Sequence, residues 1–245
     1  MSGEPVLRAE GLSKRFQGLQ ALDDVNLHVN AGEVLALIGP NGAGKTTLFN
    51  VLAGRHRPTS GRIFVDGRDV TAGSLRRRVQ TGVAATFQIP RQFDEVTVEE
   101  AVGLAARYGR PKNRSTVQAD SVQRHCQEFS LDPRAQIGRL DLHSLKMLEM
   151  CRAVAVAPKV LLLDEVASGL DHGEREAISA MVARLAATGC AVIVVEHSVE
   201  FVRRLCSRAV VLSFGQVLAR GTVDEVLADE AVAKAYLGQV SDESA

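Results

Sequence analysis

Three short stretches of the chain are apolar at every position: Val34-Leu-Ala-Leu-Ile38, Val160-Leu-Leu-Leu163 and Ala191-Val-Ile-Val-Val195. Runs this short, with no polar alternation, predict parallel strands covered on both faces. Val83–Phe87 is a further strand-like run. Helix-like runs alternate with these strands, the mark of an α/β chain. Polar residues follow the runs, and in doubly wound sheets ligands sit just beyond the carboxyl ends of strands.

Two regions break this pattern. Residues 5–33 and 61–72 read as short strands and hairpins, with turn signals at Asp23-Asp24, Asn30-Ala-Gly32 and Asp66-Gly67. Residues 97–158 read mainly as helix around a charged loop, Gly109-Arg-Pro-Lys-Asn-Arg-Ser115, with no clear buried parallel strand. The expected architecture is a parallel-sheet core with an antiparallel flap and an inserted helical lobe. The tail Ser241–Ala245 is small and polar and is expected to fray.

At 245 residues the chain can bury a sizeable core without disulfides or a structural metal. Lys plus Arg number 29 and Asp plus Glu number 29, so no global charge draws it to nucleic acid or anionic lipid. Aromatic residues make up 4% and Trp is absent, which argues against base-stacking platforms and membrane belts. No apolar run approaches the ~20 residues of a membrane span. Met1–Glu10 carries Glu4, Arg8 and Glu10 and shows no signal-peptide core. Cys126, Cys151, Cys190 and Cys206 lack metal-ligand spacing and are read as reduced packing residues. The expected location is therefore cytosolic.

Gly39-Pro-Asn-Gly-Ala-Gly44-Lys45-Thr46 matches G-x-x-x-x-G-K-[ST], between a predicted strand and a helix-like run over Thr47–Ala53. Its glycines let backbone N–H groups turn inward around phosphate oxygens, and a helix N-terminus adds positive potential. Lys45 is placed to reach the β- and γ-phosphates, and Thr46 to ligate Mg²⁺. Asp164-Glu165 ends a buried run: the Asp can hold Mg²⁺ and the Glu can polarise a water. Gln88 can sense the metal or that water, but a lone Gln is also a common loop residue. His197 ends another buried run and can donate to the γ-phosphate, though alone it reads more readily as structural.

The order of these features, an aromatic, the phosphate loop, Gln88, a degenerate signature, Asp-Glu, Ser168-Gly-Leu-Asp171 and His197, resembles the ATPase subunit of ATP-binding-cassette (ABC) transporters. The resemblance spans about Val6 to Leu237. Thr86-Phe-Gln-Ile-Pro-Arg-Gln-Phe93, Leu148-Glu-Met-Cys-Arg-Ala153, Val195-Glu-His-Ser-Val-Glu-Phe-Val202 and Gly221-Thr-Val-Asp-Glu-Val226 resemble branched-chain amino-acid uptake ATPases. The lipopolysaccharide-export ATPase has similar motifs. The resemblance implies an α/β fold: a P-loop NTPase core with an antiparallel β subdomain, a helical subdomain over about 97–158 and a helical tail over 221–245, residues 1–245 forming one ATPase domain. It also implies ATP and Mg²⁺ as ligands. Phe16 would stack on adenine, although alone it reads as a core aromatic. Gly39, Asn41, Gly42, Gly44, Lys45, Thr46 and Thr47 would bind the nucleotide. Thr46, Gln88 and Asp164 would serve the metal, and Glu165, His197, Gln88 and Lys45 the hydrolysis.

One motif departs from the family pattern. The stretch aligned with the L-S-G-G-Q signature is Leu140-Asp-Leu-His-Ser144. In the family this segment donates to a γ-phosphate held by the other subunit. Asp141 brings a carboxylate that repels phosphate, and Leu142 and His143 bring bulk where backbone must approach closely. Ser144 replaces the Gln. Asp141 can equally be a plain helix cap. Asp171 lies in the segment that crosses to the partner. With this weakened signature a homodimer would compromise both sites and a heterodimer only one, and the resemblance to amino-acid importers, which use two different ATPase subunits, favours the heterodimer. The expected partners are transmembrane permease subunits, that second ATPase and, indirectly, a substrate-binding protein, but no nucleic acid. The resemblance places the chain on the cytoplasmic side of a bacterial inner membrane. The rivals are a small-molecule kinase, a non-transport cassette and an ATP-gated subunit that hardly hydrolyses.

Overall fold

The computed structural model describes residues 4–86, 95–109 and 119–240. In chain order, β1 (Leu7–Phe16) and β2 (Leu19–Val29) form a hairpin, and β3 (Val34–Ile38) leads to helix α1 (Lys45–Ala53). Then come β4 (Ser60–Val65), β5 (Arg68–Asp69), α2 (Leu75–Thr81), β6 (Val83–Ala85), α3 (Val98–Tyr108), α4 (Ala119–Glu128) and α5 (Leu142–Ala155). The chain continues through β7 (Val160–Asp164), α6 (His172–Ala187), β8 (Ala191–Val195), α7 (Val199–Leu205), β9 (Arg208–Ser213) and β10 (Gln216–Thr222). It ends in α8 (Val223–Leu227) and α9 (Glu230–Val240).

Among the described residues the strands form two sheets. The first has order β2-β1-β4-β5 and is antiparallel throughout. The second has order β10-β9-β3-β8-β7-β6. Its pairings are parallel except β9 with β10. β3 sits mid-sheet with β9 on one side and β8 on the other, so the phosphate loop leaves from the point where strand order reverses.

The uninterrupted apolar runs are explained by what covers each face. Leu35 and Leu37 of β3 join Leu48 and Leu52 of α1 and Leu7, Leu22 and Val25 of the antiparallel sheet. Val34, Ala36 and Ile38 face the other way, into a core that also holds Leu148, Ile178 and Phe201 from the helices. Side chains alternate across a strand, so a strand with two dry faces has no polar position to spare. The inserted helices pack into the same continuous core. Val98, Ala101, Val102 and Ala106 form the buried stripe of α3, and Thr97 with Glu100 closes its start in a reciprocal capping box.

The antiparallel pieces are longer than the hairpin reading expected. β1 has 10 residues and β2 has 11, with register shifts where Gly11 adopts φ +57°. β6 stops at Ala85, short of the expected Phe87, whose position lies outside the described residues. The helical tail begins at Val223 rather than 221, because Gly221 and Thr222 complete β10 and Thr222 then caps α8. The expected charged loop over 109–115 lies outside the described residues beyond Gly109. All four cysteines are free and buried, and burial pushes the thiols up, to about 11 for Cys190 and about 12 for Cys206. No described helix is long and apolar enough to cross a membrane.

Candidate nucleotide site

β3 ends at Ile38 and the chain turns through residues 39–44 into α1. The first glycine is required by space. A Cβ on Gly39 would stand 2.2 Å from the Leu212 carbonyl oxygen of β9. Gly44 holds φ +102° at the N-cap, where a Cβ would stand 2.7 Å from the Ala21 carbonyl oxygen. A glycine cap brings no side chain to the helix start, and no acidic residue lies in the first turn. The opening N–H groups of α1 are thus left for an external acceptor.

Lys45 is buried at 7% exposure, and its Nζ donates to the carbonyls of Gly39 at 2.6 Å and Pro40 at 2.8 Å. Burial lowers its pKa, while Glu165 and Asp164 oppose the shift. A cavity of about 400 Å³ lies over this turn. Asn41, Gly42, Gly44, Lys45, Thr46 and Thr47 line it together with Glu165 and His197.

The two acidic residues come from the end of β7. Asp164 pairs with Val195 of β8, so the strands finish level. Glu165 then turns at φ +48°, its N–H donating to the Val195 carbonyl at 2.9 Å. His197, two residues past the same point, brings Nε2 to 2.8 Å from Glu165 Oε1. Burial raises the Asp164 pKa and Glu165 adds to the shift, opposed by His197 and Lys45. A second cavity, of about 750 Å³, opens beside the first between α1, β7 and the start of α5. Thr46, Thr86, Asp164 and Glu165 line it, as do Leu142 and Lys146. Gln88 lies outside the described residues.

The segment aligned with the signature does open a helix. Asp141 caps α5, its carboxylate accepting the Ser144 N–H at 2.7 Å. That bond holds the Asp141 pKa below its ordinary value. Leu142 is 59% exposed, and His143 Nδ1 lies 3.0 Å from Glu174 Oε1 of α6. Asp171 caps α6 in a box with Glu174. Leu142 also packs near Gly169, so the α5 start and the 168–171 segment stand side by side.

Phe16 ends β1 half-exposed, with its ring edge-on to His56 at 5.3 Å and Lys14 Nζ 4.7 Å from its centroid. It stands apart from the lining of the 400 Å³ cavity. Phe214, which the sequence reading passed over, lines that cavity and is 93% exposed. It rides on a turn whose Gly215 N–H donates to the Ala43 carbonyl at 2.9 Å. Lys146 and Glu196 were also passed over. Phe214 carried one weak signal, an aromatic next to a turn glycine beyond an apolar run.

Comparison with known proteins agrees with this geometry. A family model described as ABC transporter matches residues 22–168. The chain belongs to the ABC transporter family. A second model, described as branched-chain amino acid ATP-binding cassette transporter, matches residues 216–241 of this ABC ATPase. The high-affinity branched-chain amino acid transport ATP-binding protein BraF of Pseudomonas aeruginosa is 35% identical, over 96% of this chain and 98% of BraF. The lipopolysaccharide export system ATP-binding protein LptB of Haemophilus influenzae is 33% identical over 96% and 98%. The arabinose import protein AraG 1 of Burkholderia ambifaria is 34% identical, and the ABC ATPase spans about half its length, 48%. The ADP conformation of MJ1267, an ATP-binding cassette of an ABC transporter, superposes with TM-score 0.84 at 29% identity, covering 96% of this chain and 100% of that one. The chain is therefore an ATP-binding subunit of a family that hydrolyses ATP to power transport.

Proposed function

We propose that this ABC ATPase hydrolyses ATP at the site of Lys45, Asp164, Glu165 and His197 to drive an importer of branched-chain amino acids or a related small polar solute. The observation that carries the chemistry is the convergence of Glu165 and His197 on the open start of α1. The cargo reading rests on the match of residues 216–241 and the likeness to BraF along nearly the whole chain. The likeness to LptB supports a second reading, the ATPase of a lipid or lipopolysaccharide exporter. A weakly hydrolysing, ATP-gated regulatory subunit is a third reading, which the capped start of α5 would suit.

The mechanism follows from the placement of the groups. Backbone N–H groups of 39–46 and the start of α1 take the phosphate oxygens, and Lys45 exchanges the Gly39 and Pro40 carbonyls for the β- and γ-phosphates. Phe16 is assigned to stack on adenine. Glu165 accepts a proton from water as the water attacks the γ-phosphorus in line and the bond to the bridging oxygen of ADP breaks. His197, with its proton on Nε2, orients Glu165 or donates to the γ-phosphate. The Thr46 hydroxyl and Asp164 carboxylate are hard oxygen donors lining one cavity, a set that fits Mg²⁺. Bound there, the ion neutralises charge on the β- and γ-phosphates. Burial and the adjacent Glu165 carboxylate, which raise the Asp164 pKa, are the environment such a cation relieves. Gln88, after β6, is assigned to the same metal and water.

The partner follows from α5. Asp141 has already used the Ser144 N–H, and the exposed Leu142 and half-buried His143 stand where phosphate would need bare backbone. Paired with a copy of itself, the chain would offer this face to both nucleotides. Paired with a second ATPase bearing an intact signature, it would hydrolyse the ATP on its own phosphate loop. The pair would work on the cytoplasmic face of a bacterial inner membrane, docked on permease subunits and served by a substrate-binding protein. ATP turnover of the chain alone and with such a partner tests this. A rise of about tenfold or more with the partner supports heterodimer pairing, and equal robust turnover alone overturns it.

A further inference from the structure

The turn after β7 carries Glu165, yet its own chain holds it with few bonds. Glu165 sits at a left-handed φ of +48°, and the Ser168 N–H reaches the Glu165 carbonyl at 3.2 Å. Besides the Val195 carbonyl and His197, two charged side chains from distant elements hold this turn. Lys146, one turn into α5, donates from Nζ to the Val166 carbonyl at 3.3 Å and to the Ser168 carbonyl. Glu196, buried at 4% exposure just past β8, accepts the Ala167 N–H at 2.9 Å through Oε1. The cation holds carbonyls and the anion holds an N–H of the same turn, so each charge meets the end of the peptide dipole that suits it.

We infer that Lys146 and Glu196 form a two-sided clamp that positions the Glu165–Ser168 turn for hydrolysis, and that Lys146 is the arm through which α5 sets that position. This rests on the ATPase reading above. Burying a carboxylate and half-burying an ammonium costs free energy unless both are satisfied. Here the backbone of one four-residue turn, the His197 N–H on Glu196 and the attraction between the two charges satisfy them. Lys146 also faces Glu149, Glu165 and Glu174, and Glu196 faces Glu165 and His197. Lys146 and Glu196 thus grip opposite sides of the turn bearing the water-polarising carboxylate. A shift of α5 by a fraction of a hydrogen-bond length would move two carbonyls of that turn, while leaving the phosphate loop untouched. Lys146 is a positioning residue: its hydrogen bonds go to the carbonyls of the turn.

The test uses the full chain with its partner ATPase and permease subunits. Two quantities are read for Lys146→Met, Lys146→Arg and Glu196→Gln: steady-state ATP turnover, and amide hydrogen exchange over residues 165–170 and 39–48. Lys146→Met is expected to lower kcat by about 10- to 100-fold with KM for ATP changed less than about 3-fold. It should also speed exchange over 165–170 and leave 39–48 unchanged. Lys146→Arg, which keeps a charged donor, should recover most of the turnover. Glu196→Gln keeps the acceptor for the Ala167 N–H and loses the charge. Its effect should be smaller, and the double variant with Lys146→Met should cost less than the product of the singles. Unchanged exchange over 165–170 in Lys146→Met overturns the clamp, as does a loss of ATP binding in step with turnover. If the parent complex does not hydrolyse ATP but Lys146→Met still loosens 165–170, the clamp stands and the ATPase reading falls.

Discussion

Two helices begin in this molecule at the positions proposed to meet phosphate, and they begin in opposite ways. α1 starts on a glycine with no side-chain cap and no acid in its first turn. α5 starts on Asp141, whose carboxylate already holds the Ser144 N–H, followed by exposed Leu142 and by His143 against Glu174. Both are sound helix ends, because each leaves its first donors with an acceptor or with solvent. Only the first leaves them to a ligand. A helix N-terminus is therefore not an anion site by geometry alone. The residue at the cap decides whether its donors are kept in reserve or used internally.

The largest expected effect tests the open end. Glu165→Gln should keep ATP binding and lower turnover by about 10²- to 10⁴-fold, compared by nucleotide titration and phosphate release. Near-normal turnover would remove Glu165 from its role and leave α1 a binding site only. Next comes the glycine itself. Gly44→Ala must hold φ +102° with its Cβ 2.7 Å from the Ala21 carbonyl oxygen. It should lose about 1–3 kcal/mol of stability in denaturant unfolding, with ATP affinity reduced by about tenfold or more. An alanine variant that binds as the parent does would show that the open cap is not what α1 relies on.

A smaller, opposite effect is expected at the closed end. Asp141→Ser with Leu142→Gly and His143→Gly retains a capping hydroxyl and removes the carboxylate and the bulk. It should raise turnover of the chain alone several-fold, and no rise would mean that the two starts differ for a reason other than their caps. The smallest effect is a pH dependence. The Ser144 N–H holds the Asp141 carboxyl below its ordinary value. Its stabilisation is therefore complete above the ordinary carboxylate range and is lost as pH falls through the lowered value. Asp141→Asn caps without titrating. The difference in unfolding temperature between parent and variant should shift against the parent as the solution becomes acidic, and a difference flat with pH would break the assignment.

The open end was legible in the sequence and its supports were not. β3, β7 and β8 are apolar at nearly every position because both of their faces are covered, and that pattern needs no partner to be read. The phosphate loop follows from glycine spacing after such a run. β10 alternates exposed and half-buried residues at the sheet edge, so its pattern is weak, and β9 and β10 escaped notice. Lys146 and Glu196 sit 22 and 29 residues from the backbone groups they hold. No local spacing links them, because the link is made by α5 folding back over the end of β7. Asp141 was legible in both of its readings, as a capping residue and as a poor phosphate donor, and its geometry is that of a cap.

The level finish of three strands bears on how such a chain can vary in length. Leu37 of β3 and Asp164 of β7 both pair with Val195 of β8. Gly39 and His197 stand two residues past that common line, and Glu165 stands one past it. Side chains alternate along a strand, so losing or gaining a single residue inside any of the three would turn one of these groups to the opposite face. Substitution within the strands costs packing, but an insertion or deletion there dissolves the site at once. Changes of length are expected to be better tolerated in the connections outside the strands, where no alternation of faces has to be kept.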